Sequence, residues 1–239
     1  MKFKCKKCGS CCRNLRDKNT DFVGLPLFEW EAKELKKLAK ERGIKINIEP
    51  ADIVFEEKSK LYPCAKFLLK QESCPFLLND KCTIYSKAPI VCKAFPLQKN
   101  PLISKNECDF SAFIECKNFD FRKFFKSSFN LSEGDEYRIS REKITSEYLK
   151  TFGEEILVYA TIQGLINSYI IQSITHLIKE GKIKLTSISS TDTKKYPVTP
   201  FFEFLKKAGI CDEKAKKDLI KELTNYDKVK QIIKKLEQN

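Results

Sequence analysis

Histidine is almost missing from this chain: His176 is the single one among 239 residues, which removes most His-based catalysis and any His-rich metal site. Glycine is scarce at 8, and there is no Gly-x-Gly-x-x-Gly run and no Walker loop, so no dinucleotide or nucleoside triphosphate is implied. A membrane span is lacking too. No stretch reaches roughly 18 uninterrupted apolar residues, because Gln163, Asn167, Gln172 and His176 break the longest apolar zone, 156–178, which reads as a buried helix. The radical-SAM spacing Cys-x3-Cys-x2-Cys fails because position 15 is Leu, and no Ser–His–Asp set can be built on His176 alone. Adjacent acids such as Glu56-Glu57 and Glu154-Glu155 read as solvated faces. With 42% apolar and 32% charged residues the chain can bury a core, in one domain or two small ones.

What is abundant is cysteine and positive charge. Ten of the 11 cysteines fall within the first 116 residues, and only Cys211 stands apart. Such clustering argues for a disulfide framework or for metal–thiolate ligation, not for scattered core thiols. The sequence begins directly on its first cysteine motif, without an apolar leader region. The expectation is a cytoplasmic protein with reduced thiols, and disulfides are the less favoured reading. The net charge of +13 raises nucleic acid or an acidic protein as partners.

The opening Cys5-Lys-Lys-Cys8-Gly-Ser-Cys11-Cys12 has the spacing that lets sulfurs converge, with Gly9 easing a tight turn. Three cysteines two residues apart, with a fourth later before a proline, form the bacterial ferredoxin pattern. Cys74-Pro75 supplies that form. Cys11 and Cys12 are adjacent and should point apart, so one is expected to join Cys5 and Cys8 while the other faces elsewhere. Further on, residues 75–78 read as a short strand, 79–81 as a turn and 82–85 as the return. Pro89 can begin a one-turn helix carrying Cys92, which Pro96 ends. A hairpin carrying Cys74 and Cys82, with Cys92 just beyond, is positioned to close over the N-terminal knuckle.

These blocks, Cys-x2-Cys-x2-Cys-Cys, Cys-Pro-Phe-Leu, Cys-x-Ile-Tyr, Ala-Pro and Cys-x-Ala-Phe-Pro, resemble the YkgJ-type cysteine-cluster family over about residues 1–118. The family is described as zinc- or iron-chelating and is often labelled an iron–sulfur oxidoreductase by similarity. The resemblance implies Cys5, Cys8, Cys11, Cys12, Cys74, Cys82 and Cys92 as metal ligands. It departs from the family at Ala88 and Lys93, where arginines are usual. Thiolate-only ligation suits both Zn²⁺ and iron–sulfur clusters, and the tight triplet plus one remote cysteine favours [4Fe–4S] over zinc. Cys64, Cys108 and Cys116 stay unassigned, and Cys211 and His176 are not expected to be ligands.

The rest reads as follows. Residues 26–43 form a helix that packs behind the metal site, with Trp30 serving packing. Residues 44–48 and 51–55 alternate like strands. Phe110, Phe113, Phe119, Phe121, Phe124, Phe125 and Phe129 form an aromatic seam. Helices follow over 141–152 and 154–180, the second apolar on most faces. A polar loop spans 187–193, and Pro200 opens a helix ended by Gly209. Asp212 is an N-cap candidate, and two more helical periods close the sequence. The expected fold is α+β: a cysteine-rich metal-binding domain at 1–118, then an all-α domain at 119–239. The leading functional reading is an iron–sulfur protein in redox, electron-transfer or cluster-handling chemistry with an unidentified redox partner. The alternatives are a zinc-stabilised module binding nucleic acid or an acidic protein, and a protein-lysine methylase-like enzyme using the cysteine cluster.

Overall fold

The computed structural model describes residues 3, 9–13, 15, 24–97, 121–129, 141–186 and 198–238. Helices and small sheets are mixed, an α+β architecture, in two compact units built from discontinuous stretches. The first unit comprises 1–23, 72–165 and 225–239; the second comprises 24–71 and 166–224.

In the first unit, one helical turn, α1 (Ser10–Arg13), precedes a hairpin of β5 (Leu77–Leu78) and β6 (Lys81–Cys82). The hairpin loop is Asn79-Asp80, both at positive φ (47° and 63°), as a two-residue loop matched to strand twist requires. Asn and Asp tolerate that region better than other side chains. A 3₁₀ turn over Tyr85–Lys87 leads to α3 (Ile90–Ala94), which begins after Pro89 and stops before Pro96, as the prolines dictate. Phe76, Ala94 and Leu97 are buried here. The helices α4 (Phe121–Phe129), α5 (Arg141–Phe152), the first part of α6 (Glu154–Lys179) and α9 (Tyr226–Gln238) complete the unit. α5 packs on α9. Phe124 sits 5.8 Å from Tyr148 and 5.3 Å from Phe152, and Phe3 lies 6.0 Å from Phe152, an aromatic core shared by α4, α5 and Phe3. This bears on only part of the expected phenylalanine seam, since Phe110, Phe113 and Phe119 lie outside the described residues, as does the 187–193 loop.

In the second unit, β4 (Tyr62–Leu69) is the organising strand. One edge pairs antiparallel with β2 (Ile48–Ile53), placing Ile48 opposite Leu69 and Ile53 opposite Cys64. A strand has two edges, so the other must be shared end to end. There β1 (Leu25–Leu27) runs antiparallel along residues 67–69, and β8 (Val198–Pro200) runs parallel along 62–64. The helix α2 (Glu29–Glu41) packs on β4, and α7 (Phe201–Lys207) packs on β4 and β8. Leu27, Leu35, Leu69 and Phe204 are each at most 1% exposed. A second small sheet pairs β3 (Phe55–Glu56) with β7 (Leu185–Thr186), and α8 (Glu213–Leu223) follows Asp212, whose carboxylate accepts the Ala215 N–H at 2.7 Å.

Several expectations need correction. The helix expected over 26–43 starts at Glu29, because residues 25–27 are taken as β1; the Glu31 carboxylate accepts the Phe28 N–H at 2.8 Å and holds the start there. Its seat is β4, within the second unit. Trp30 does serve packing, stacked on Phe28 at 5.1 Å and tilted against Phe202 at 5.8 Å. Residues 44–47 alternate in burial as foreseen, yet are not strand: β4 ends at Leu69 opposite Ile48, and beyond it a single bond, from the Lys70 N–H to the Asn47 carbonyl at 2.9 Å, continues the pairing. The strand foreseen over 51–55 is split, with Asp52 at φ 52° near the end of β2 and β3 turning to β7 instead. The half expected to be all helical carries β7 and β8, since unpaired edges of β3 and β4 recruit them.

Candidate metal centre

Cys5 and Cys8 lie outside the described residues, as do Cys108 and Cys116. The other expected ligands are visible, and backbone geometry draws most of them together. α1 forms because the Gly9 carbonyl accepts both Cys12 N–H and Arg13 N–H at 2.9 Å. Gly9 has φ 67°, a conformation that strains other residues, and a Cβ there would crowd both Leu77 Cδ atoms at 3.2 Å, so glycine eases the seating of this turn against the hairpin. Three further links fasten the two pieces. The Cys74 N–H donates to the Cys12 carbonyl at 2.6 Å, the Leu15 N–H donates to the Glu72 carbonyl at 2.8 Å, and Arg13 pairs with Asp80 at the hairpin tip. The hairpin closes on the described part of the knuckle, 9–13.

Cys11 and Cys12 do not point apart. Their sulfurs are 3.9 Å from each other, a correction to the expected divergence made possible by the single tight turn of α1. Two thiolates on one tetrahedral zinc, each at about 2.3 Å, lie about 3.8 Å apart. Cys74 is half-buried, and burial pushes its thiol up to about 11, opposed by the Phe76 N–H and reinforced by the neighbouring Cys12 and Cys82. Cys12 and Cys82 thus add to the cost of ionising Cys74, a cost that a cation at this place would relieve. Among the described residues, no three Cys, His, Asp or Glu side chains come together closely enough to hold a metal by themselves. None of the seven described cysteines is in a disulfide.

Cys92 rides on α3, between the two prolines. At the positions that depart from the family pattern, Ala88 is buried, while Lys93 donates to the Ser86 carbonyl at 3.1 Å and lies 4.9 Å from the Tyr159 ring centroid. Lys93 therefore ties the loop before α3 to α6. Leu78 and Tyr85, 64% and 58% exposed, leave the outer side of the hairpin open to solvent.

Cys64 takes a different place. It is 1% exposed in β4, within the second unit, and burial pushes its thiol to about 12, with Glu29 and Asp52 adding to the rise. A thiol so placed is unreactive at neutral pH. Cys211 is raised as well, by burial and then by Asp212. His176 is exposed and lies 3.0 Å from Glu180, just past the end of its helix. Sequence reasoning missed the buried ionic group of Glu29, Glu203 and Lys216 in the second unit, which no local motif announces.

A family model described as "CxxCxxCC: Putative zinc- or iron-chelating domain" matches residues 4–116, the segment whose cysteine blocks carry the resemblance. No curated protein and no solved structure matches the chain. Among the described residues, no helix is long and apolar enough to cross a membrane.

Proposed function

We propose, from the zinc- or iron-chelating domain that residues 4–116 carry, that this protein holds an iron–sulfur cluster on cysteine thiolates and works in redox, electron-transfer or cluster-handling chemistry. The proposed ligands are Cys5, Cys8, Cys11, Cys12, Cys74, Cys82 and Cys92. The observation that carries the reading is the fastening of the knuckle to the hairpin, with the Cys12 carbonyl accepting the Cys74 N–H at 2.6 Å. That bond joins the triplet to the remote Cys-Pro, the pairing that the ferredoxin-like spacing calls for. The donor set is all sulfur, which suits iron–sulfur and zinc alike. When bound, a cluster supplies one-electron chemistry. The chain's own contribution is to order the thiols, to bury Cys74 and to keep the hairpin side open to a partner. On this reading the site domain is 1–118 and the protein works in the cytoplasm.

A specific observation favours a second reading, a zinc site. The 3.9 Å between Cys11 and Cys12 matches the edge of one metal's tetrahedron, whereas in a cubane cluster each iron takes a single protein thiolate. Iron, zinc and acid-labile sulfide per chain, measured on protein purified without oxygen, separate the two. Iron with equal sulfide supports the cluster; zinc without sulfide supports the second reading; neither metal overturns both. Cys74→Ser should lower the metal content, and Cys64→Ala, changed in the core of β4, should keep it.

A further inference from the structure

The turn that carries Cys92 has little of its own to hold it. The helix α3 is five residues long, and its start after Pro89 has no side-chain cap. The Cys92 and Lys93 N–H groups both donate to the Pro89 carbonyl, at 3.0 and 3.2 Å. A helix this short takes its place from tertiary contacts, not from its own bonds. Ile90 and Ala94, at i and i+4, are buried and set one side of it into the first unit. Cys92, two residues from each, is half-buried on the other side of the turn. Two buried residues on one line fix how deep the turn sits, yet let it roll about that line. Such a roll carries the Cys92 sulfur sideways.

Lys93 supplies what stops the roll. Its ammonium donates to the Ser86 carbonyl at 3.1 Å and lies 4.9 Å from the centroid of the Tyr159 ring, within cation–π range. Tyr159 is a firm anchor. It follows Leu157 and Val158 on α6, both fully buried, and its ring packs 5.6 Å from that of Tyr226 on α9. Lys230 of α9 pairs with Glu154 of α6 at 2.7 Å, which ties the two helices together near that ring. Methionine at 93 would keep the length of the side chain and lose both contacts, whereas arginine would keep a cation that stacks on an aromatic face and donates to a carbonyl.

We infer that Lys93 is a positioning residue for the metal centre: by bridging the Ser86 carbonyl and the Tyr159 ring it fixes the roll of α3, and so holds the Cys92 sulfur where it joins the other thiolates. The inference rests on the reading of Cys92 as a ligand.

The test follows alkylation of Cys92 by iodoacetamide, peptide by peptide in a mass spectrometer, on the full chain with its metal and after removal of the metal by a chelator. In the native protein the metal should protect Cys92. In Lys93→Met with metal, Cys92 should react about tenfold faster, the worth of one exposed cation–π contact and one charged hydrogen bond, while Cys74 stays protected. Lys93→Arg should restore the native rate. Tyr159→Phe, which keeps the ring face, should behave as native; Tyr159→Leu should match Lys93→Met, and the double change should add little, because both remove the same bridge. Circular dichroism should be the same for all variants. Protection of Cys92 that survives Lys93→Met, loss that extends equally to Cys74, or failure of arginine to rescue would each overturn the inference while leaving the ligand reading in place. A native Cys92 that reacts at one rate with and without metal would overturn the ligand reading at Cys92, and the inference with it.

Discussion

Lys216→Met should destabilise the second unit by about 3 kcal/mol. The Lys216 ammonium lies 3.0 Å from Glu29 Oε1 and 3.2 Å from Glu203 Oε2, and Lys216 and Glu29 are each only 6% exposed. Burial alone would lower the lysine's affinity for its proton, but Glu29 and then Glu203 outweigh it and hold the group above its usual 10.5. Deleting one member of a buried pair costs about 3–5 kcal/mol, because the other charge is left stranded. Two features hold the loss near the lower end. Glu203 is partly exposed and keeps Lys206 at 3.0 Å, and Lys33 stands 3.7 Å from Glu29 on the solvent side, worth at most about 1 kcal/mol. At an m-value near 1.5 kcal/mol/M the urea midpoint should fall by about 2 M. Trp30, the only tryptophan, is next to Glu29 and stacks on Phe28, so its fluorescence follows this unit. The double change Lys216→Met/Glu29→Met should recover most of the loss, because Glu29 Oε2 is already buried without a partner and the pair is imperfect. A single-variant loss below 1 kcal/mol, or a double variant as weak as the single, would refute the argument.

Two further outcomes follow from the same geometry. Glu56, 1% exposed, accepts from the Ser59 hydroxyl and from the N–H groups of Lys58, Ser59 and Lys184, and these bonds outweigh burial to hold its carboxyl below 4.5. A depressed carboxyl stabilises above its unfolded value and loses that contribution as pH falls through the folded one. The Trp30 midpoint should therefore drop below about pH 4.5, and Glu56→Gln should lower the neutral-pH midpoint and flatten the acid limb; an unchanged acid limb would show that other groups set it. Gly9→Ala, at φ 67° against Leu77, should cost about 1–2 kcal/mol of local order and speed metal loss to a chelator several-fold. Equal rates for variant and native protein would remove the role assigned to Gly9.

Local chemistry was readable one element at a time. Pro89 and Pro96 bound α3, Gly153 separates α5 from α6, Pro200 opens α7, Asp212 caps α8, and Asn79-Asp80 turns the hairpin. Each depends on residues within a few positions. The strand β4 was not readable: Pro63 stands second in it, no clean alternation marks it, and its burial follows from neighbours on both edges. The same holds for β8, three residues whose only reason to be extended is the free edge of β4 at Tyr62–Cys64.

The site divides the same way. The sequence by itself determined which donors the chain offers, cysteines in blocks that match a zinc- or iron-chelating domain, because residue type and short spacing are properties of consecutive residues. Tertiary structure alone decided which cysteines meet. It put Cys12 beside Cys74 and Cys82, brought Cys11 to 3.9 Å of Cys12, and buried Cys64 in another unit's core. It also paired Lys216 with Glu29. Such contacts join residues far apart in the chain, and their energies exist only once packing has removed the water between them.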